Sequence, residues 1–274
     1  YVMTRNPMNF HQVSQINLSP DFIECIVFWT KNAVPFMDYL EELNRMGYMY
    51  MFQYTITPYD NTLEKNISDK SDIIKNVLEL SEKIEKKRIV WRYDPILLND
   101  TYTVNRHIEL FEEMCSLLYT AVNHVVISFI DLYQKNRGYR LYELSTDEIT
   151  HLAQAFGEIG AKYKLPIKTC CENYDLTKFG ITKGACIDSV LLEEICNRPL
   201  LLKKATGQRK NCLCAESVDI GAYHTCLNGC IYCYATDYKR LKTKQKCYDK
   251  NSQILCDKLD FGKDIIKVRK MKKL

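Results

Sequence analysis

RIVWRYDP, residues 88–95, decides how the chain is read. It is a run of β-branched and aromatic residues that closes on Arg92 and Asp94, two positions apart, so a strand here carries both on one face near its C-terminal end. Working outward, similar runs stand at 22–30 (FIECIVFWT), 48–57 (YMYMFQYTIT), 124–132 (HVVISFIDL) and 166–172 (PIKTCCE). Stretches of helical period separate them at 35–46, 70–86, 103–120 and 145–163, the last opened by Ser145 three positions before Glu148, a capping box. This alternation predicts repeated βα units and a parallel sheet.

No Gly-rich phosphate turn follows the first strand, and several strands end in polar residues, which favours a shared pocket at a C-terminal rim. The expected fold class is therefore α/β, a TIM-like or partial (β/α) barrel of parallel strands. Its rim would carry Lys31 and Asn32, Gln53 and Thr55, Arg92 and Asp94, and Ser128, Asp131 and Tyr133. Beyond residue 172 the rhythm fades into a helix at 187–197, a polar loop at 202–211 and a short strand at 216–220. The expected division is a barrel-like domain over 1–200 and a cysteine-rich, cluster-binding segment with a basic tail over 201–274.

An apolar share of 46% in 274 residues fills a sizeable core. No stretch approaches 18 consecutive apolar residues and no secretory leader pattern opens the chain, so a soluble, cytoplasmic protein without membrane contact is expected. Thirteen cysteines cannot all pair within one chain, and in a reducing compartment clustered thiols point to metal. Eleven of them fall between Cys170 and Cys256. The net charge of +4 is also uneven: thirteen Lys or Arg against four Asp give residues 238–274 a net of +9, and the rest of the chain carries −5.

In HTCLNGCIYCYAT, residues 224–236, Cys226-x3-Cys230-x2-Cys233 lets one tight loop wrap three thiolates around a polynuclear centre. Zinc is the competitor, but structural zinc sites usually pair cysteines in a more symmetric spacing. A cubane [4Fe–4S] cluster takes four ligands, so three cysteines leave one iron open. Gly229 lets the loop turn, and His224 either hydrogen-bonds toward the cluster or makes an ordinary backbone contact.

The loop resembles the cluster-binding loop of radical S-adenosylmethionine enzymes, which has the same two spacings and an aromatic residue before the third cysteine. The resemblance implies that Cys226, Cys230 and Cys233 ligate a [4Fe–4S] cluster, that S-adenosylmethionine chelates the open iron, and that Tyr232 lies against its adenine. An electron from a donor such as a ferredoxin or flavodoxin would then release a 5'-deoxyadenosyl radical for hydrogen abstraction. The wider chain resembles the uncharacterised bacterial family called domain of unknown function eighteen-forty-eight, in RNPMNFHQVS, VFWTKN, WRYDPILLN, ISFIDLY, DIGAYHTCLNGCIYCYA and YDKNSQIL. Members carry a further strand-like segment upstream of Tyr1, which implies a barrel short of one strand here. The resemblance also implies that Cys170, Cys186, Cys212 and Cys214 hold a second iron–sulfur cluster, with Cys171 an ambiguous neighbour of Cys170.

Lys31, Arg92 and Asp94 are the candidate catalytic residues and Gln53 a candidate cofactor contact; together they suit a polar, anionic small-molecule substrate. Radical enzymes of this type carry the cysteine loop after the first barrel strand, whereas here strand 216–220 would deliver it to the same rim in permuted order. Two other functions remain open at this point. One is an iron–sulfur protein that binds nucleic acid or is associated with repair, suggested by the basic segment 238–273, and the other is a non-catalytic, metal-stapled electron-transfer module.

Overall fold

The computed structural model describes residues 1–136 and 138–273. An antiparallel pair, β1 (Val2–Arg5) and β2 (Gln12–Ile16), precedes six strands, β3 (Ile26–Thr30), β4 (Tyr50–Thr55), β5 (Ile89–Ile96), β6 (His124–Phe129), β7 (Ile167–Cys170) and β8 (Ile181–Gly184). Helices α1 (Leu40–Arg45), α2 (Lys70–Ile84), α3 (Val104–Leu118), α4 (Thr146–Tyr163) and α5 (Ser189–Cys196) follow β3, β4, β5, β6 and β8. The chain ends with α6 (Tyr238–Gln245) and β9 (Ile265–Val268).

Strands β3 to β8 pair in sequence order, and every pair is parallel. The alternating apolar runs do this because each parallel step needs a crossover long enough to hold a helix, and a constant handedness stacks those helices on one face. On that face Tyr50, Phe52, Trp91, Tyr93, Val125 and Ile127 meet Val77 and Leu80 of α2, Phe111 and Leu118 of α3, and Leu152 and Phe156 of α4. The Phe111 and Phe156 rings stack at 3.8 Å, and Trp91 stacks on Phe111 at 5.4 Å. Helix α4 starts where expected, with the Ser145 and Glu148 side chains capping each other's backbone N–H.

The expected barrel does not close, because β3 and β8 form the two edges of the sheet and do not pair with each other. The reason lies on the other face. Met51, Val90 and Val126 are covered by Leu191, Leu192 and Ile195 of α5 and by Leu200 and Ala215. A helix already buries the surface that closure would have buried.

Other boundaries shift for local reasons. The first run enters the sheet only at Ile26, since Pro20–Phe22 forms a 3-10 turn. The helix expected at 35–46 is a 3-10 turn, Val34–Tyr39, followed by the short α1, with Pro35 in the first turn. Residues 216–220 form no strand; the neighbouring chain makes only an isolated bridge, Lys204 to Ala215. Strand β8 and the small sheet of β1, β2 and β9 lie outside the sequence reading. β9 runs parallel to β2, so part of the basic end is folded onto the N-terminal hairpin. Arg5 ties them together, 2.8 Å from Asp257 and 2.6 Å from Asp264. Among the described residues no helix is long and apolar enough to cross a membrane.

Candidate metal centre

The segment that positions the cysteines is the connection between β4 and α2, at the C-terminal end of the sheet. Glu64 of that connection forms an antiparallel bridge with Cys230. Around it the Ile231 N–H donates to Leu63 O at 2.9 Å, the Asn66 N–H to Asn228 O at 3.0 Å, and Asn66 Nδ2 to Leu227 O at 2.6 Å. The cysteine loop thus lies at the same rim as Lys31, just past β3, although the strand expected to deliver it does not exist. Gly229 has φ +74°, and a Cβ there would come within 3.1 Å of Lys65 Cβ and 3.2 Å of Asn66 Nδ2, so the close docking needs glycine.

All thirteen cysteines are thiols. Cys226 is exposed, while Cys230 and Cys233 are partly buried. The Cys233 N–H donates to Cys230 O at 3.2 Å, so these two share one turn, and the Tyr238 hydroxyl, its pKa raised by burial, would stand 3.3 Å from a Cβ at Gly229. Burial pushes the Cys230 thiol up to about 11, against the pull of the Lys31 ammonium. Among the described residues no three His, Cys, Asp or Glu are already converged on a single-ion site. What the loop offers is three thiols within eight positions of sequence, soft donors of the kind iron–sulfur and zinc chemistry uses. His224 closes the loop, its N–H donating to Ala235 O at 3.0 Å and its Nδ1 accepting from the Asp237 N–H at 3.0 Å.

Glu64 is 1% exposed and collects four partners. Lys31 Nζ stands 2.7 Å away, Lys70 Nζ 2.5 Å and Thr57 Oγ1 2.6 Å, and the Tyr232 hydroxyl also donates to it. Burial alone would raise the Glu64 pKa, but the two ammoniums outweigh it and hold the carboxylate below its ordinary range. Tyr232 itself is buried, edge-on to Tyr59 at 5.7 Å with Lys31 Nζ 5.8 Å from its ring centroid. Its observed work is to anchor the loop.

On the face covered by α5, the second group of cysteines comes together around Arg92. Cys170 Sγ lies 2.9 Å from Cys186 Sγ, and Arg92 Nη1 is 3.1 Å from Cys186 Sγ. The Ile187 N–H points to Cys214 Sγ at 3.5 Å, and Cys212 interacts with Cys214. Contact with Cys186, helped by Arg92, lowers Cys170 to about 7. Contact with Cys186, helped by the Ile187 N–H, lowers Cys214 to about 5. The four sequence candidates therefore assemble from the end of β7, the turn after β8 and the 212–214 segment. Cys171 takes a left-handed backbone, φ +58°, and the charge that bears on it most is that of Arg209.

Arg92 and Asp94 share a face as the strand period requires, and they hold each other. Arg92 Nε donates to Asp94 Oδ2 at 3.0 Å, Nη2 donates to the same oxygen, and Ser128 Oγ donates to Asp94 Oδ1. Arg92 Nη1 also reaches Gln53 Oε1 at 3.3 Å, and Gln53 Nε2 donates to Cys186 O at 2.8 Å. The guanidinium is 6% exposed and committed to protein partners, so its observed role is to brace the cysteine cluster. Asn32 caps the Val34 N–H, and Asp131 pairs with Arg209 at 3.1 Å on the surface.

The hub Glu64 escaped the sequence reading because it sits in an aperiodic polar loop with no local signal. Glu172 escaped too, although it ends the run PIKTCCE; it accepts from the Phe129 N–H at 3.0 Å, and burial pushes it up to about 7. Cys25 and Cys196, far apart in sequence, lie side by side.

A family model described as a domain of unknown function, DUF1848, matches residues 1–235 and so spans the sheet and the cysteine loop. No curated protein matches the chain.

Proposed function

The chain belongs to the DUF1848 family, and we propose that it is an iron–sulfur enzyme resembling the radical S-adenosylmethionine type, acting on a polar small molecule at the C-terminal rim of an open, partial (β/α) barrel. The observation that carries this reading is the loop itself, with Cys226, Cys230 and Cys233 within eight positions and docked on the sheet rim through the bridge between Cys230 and Glu64. The donor set fits a [4Fe–4S] cluster with one iron left to an exogenous ligand. Such a cluster, if bound, would supply the electron that breaks the sulfur–C5' bond of S-adenosylmethionine, giving methionine and a 5'-deoxyadenosyl radical.

The chain's own residues do the rest. Tyr232 and Asn66 hold the loop, while Gly229 allows the close turn. Lys31 and Lys70 together exceed the charge of Glu64 by one, which favours an anionic group beside the loop. Cys170, Cys186, Cys212 and Cys214 are the proposed ligands of a second cluster. The contact of Cys170 Sγ with Cys186 Sγ at 2.9 Å and of Arg92 Nη1 with Cys186 Sγ at 3.1 Å supports it; contact with Cys186 lowers the pKa of Cys170 and Cys214, while contact with those two raises that of Cys186 and burial raises that of Cys212. A reducing, cytoplasmic setting and a ferredoxin-like or flavodoxin-like electron donor go with this reading.

Anaerobic reconstitution with iron and sulfide, followed by reduction in the presence of S-adenosylmethionine, tests it. 5'-Deoxyadenosine is expected from the wild type and not from Cys230→Ala. Zinc in protein purified without air, or a cluster that leaves the cofactor uncleaved, contradicts it.

A further inference from the structure

Cys25 and Cys196 belong to neither of the two cysteine groups above, yet they meet each other. Cys25 stands directly before β3, an edge strand of the sheet, and Cys196 is the last residue of α5, the helix that covers Met51, Val90 and Val126. Both are partly buried and pack against the apolar cluster that α5 shares with the sheet. Cys196 Sγ donates at 3.4 Å to Glu24 O, the carbonyl oxygen of the peptide bond that leads into Cys25. Cys25 Sγ lies 3.7 Å from Ile26 O, and the two thiols are in side-chain contact. Arg198 closes the same corner through an ion pair with the Glu24 carboxylate.

Glu24 and Cys196 are 172 positions apart, so this corner joins the start of the parallel sheet to the end of its last helix. Contact with Cys25 lowers the Cys196 pKa against burial, helped by the Arg198 and Arg88 charges, while contact with Cys196 and burial raise that of Cys25. Cys196 is thus the thiolate of the pair and Cys25 the partner that resolves it, the arrangement of an oxidant-sensing thiol.

We infer that Cys25 and Cys196 form a reversible disulfide on exposure to peroxide, a clasp that fixes the end of α5 to the edge of the sheet. The Cys196 thiolate attacks one oxygen of hydrogen peroxide, the O–O bond breaks, and the departing hydroxide takes up the thiol proton as water, leaving a sulfenic acid. The Cys25 sulfur then attacks the Cys196 sulfur, and the sulfenic oxygen leaves with the Cys25 proton as a second water. Two thiols give up two electrons and one peroxide accepts them. Side chains already in contact suit the short span of such a bond, and in a reducing compartment disulfides of this kind are transient and regulatory. The inference stands whether or not either cysteine group holds a cluster.

Peptide mapping of the full chain tests it, after purification without air, treatment with hydrogen peroxide, removal of the peroxide by catalase and alkylation with iodoacetamide. Cleavage after Glu, Lys and Arg puts Cys25 in 25–31 and Cys196 in 195–203, since Arg198 precedes Pro199 and is spared, and separates both from Cys170, Cys171 and Cys186. The expected product is 25–31 joined to 195–203, two hydrogens lighter than the pair and released by dithiothreitol. The melting midpoint should rise by about 5 °C or more with the bond, return with dithiothreitol and stay unmoved in Cys25→Ser. In that variant Cys196 should instead be trapped by dimedone as the sulfenic acid. Recovery of both wild-type peptides singly alkylated, linkage of either cysteine to another thiol in place of this one, or a link that leaves the melting midpoint unchanged overturns the inference.

Discussion

The hydroxyl of Tyr232, the residue directly before the third cysteine of the loop, donates to the buried carboxylate of Glu64, 168 positions earlier in the chain. The contact joins the late cysteine loop to the rim of a sheet built in the first half. Because Glu64 also neutralises Lys31 and Lys70, the two possible deletions differ in cost. Tyr232→Phe removes one hydrogen bond to a charged group and should lower unfolding free energy by about 1.5–3 kcal/mol. Glu64→Ala strands two partly buried ammoniums and should cost about 3–5 kcal/mol. Urea denaturation of the two variants checks the order, and equal losses would mean that the lysines find other partners.

Gly229→Ala tests how tightly the loop is docked. The substitution meets a positive φ and a neighbouring Cβ at 3.1 Å. A loss of about 1–3 kcal/mol is expected, together with reduced iron uptake on reconstitution. Wild-type stability and iron uptake would show that the loop stands off from Lys65.

His107 makes stability depend on pH. Its ring is enclosed, 2.8 Å from the Tyr93 hydroxyl at Nδ1 and 2.8 Å from Leu97 O at Nε2, so Nε2 donates and Nδ1 accepts in the neutral form. Burial pushes its pKa down to about 4. The unfolded chain takes up the proton near pH 6.5 and the folded chain does not, so stability falls as pH drops through that window. The loss should reach about 3 kcal/mol by pH 4 from this residue. His124, also pushed down to about 4, acts in the same direction. Chemical denaturation between pH 7 and 4 reads the slope, which His107→Gln should make shallower; an unchanged slope would place the acid sensitivity elsewhere.

Much of the fold was legible because period carries it. The apolar runs at 48–57, 88–93 and 124–132 and the capping box at Ser145 mark β4, β5, β6 and α4 with little dependence on distant residues. The open sheet was not legible, since nothing local says that Leu191, Leu192 and Ile195 cover Met51, Val90 and Val126. At the site, spacing picked out Cys226, Cys230 and Cys233, while Glu64 became visible only through contacts 33 and 168 positions away. Arg92 was read as a ligand grip because a strand end exposes it. The folded chain surrounds it with Asp94, Gln53 and Cys186.

The second thiol group makes its own prediction. If Cys170, Cys186, Cys212 and Cys214 hold a cluster, Cys186→Ser should reduce iron per chain by about half after reconstitution, with the first centre retained. Arg92→Gln, which keeps a polar side chain but removes the charge at Cys186 Sγ, should weaken the same fraction. Iron content unchanged in both variants would leave these residues as a buried, hydrogen-bonded core.

The central claim is that the loop at Cys226, Cys230 and Cys233 presents a cluster with an iron open to S-adenosylmethionine. The most direct test is the electron paramagnetic resonance spectrum of the reconstituted, reduced chain, recorded with and without S-adenosylmethionine in wild type and in Cys186→Ser. A [4Fe–4S] signal that persists in Cys186→Ser and shifts when the cofactor is added is the expected result. In the Cys186→Ser background, a signal that the cofactor leaves unchanged, or that survives replacement of Cys226, Cys230 and Cys233 by alanine, would contradict it.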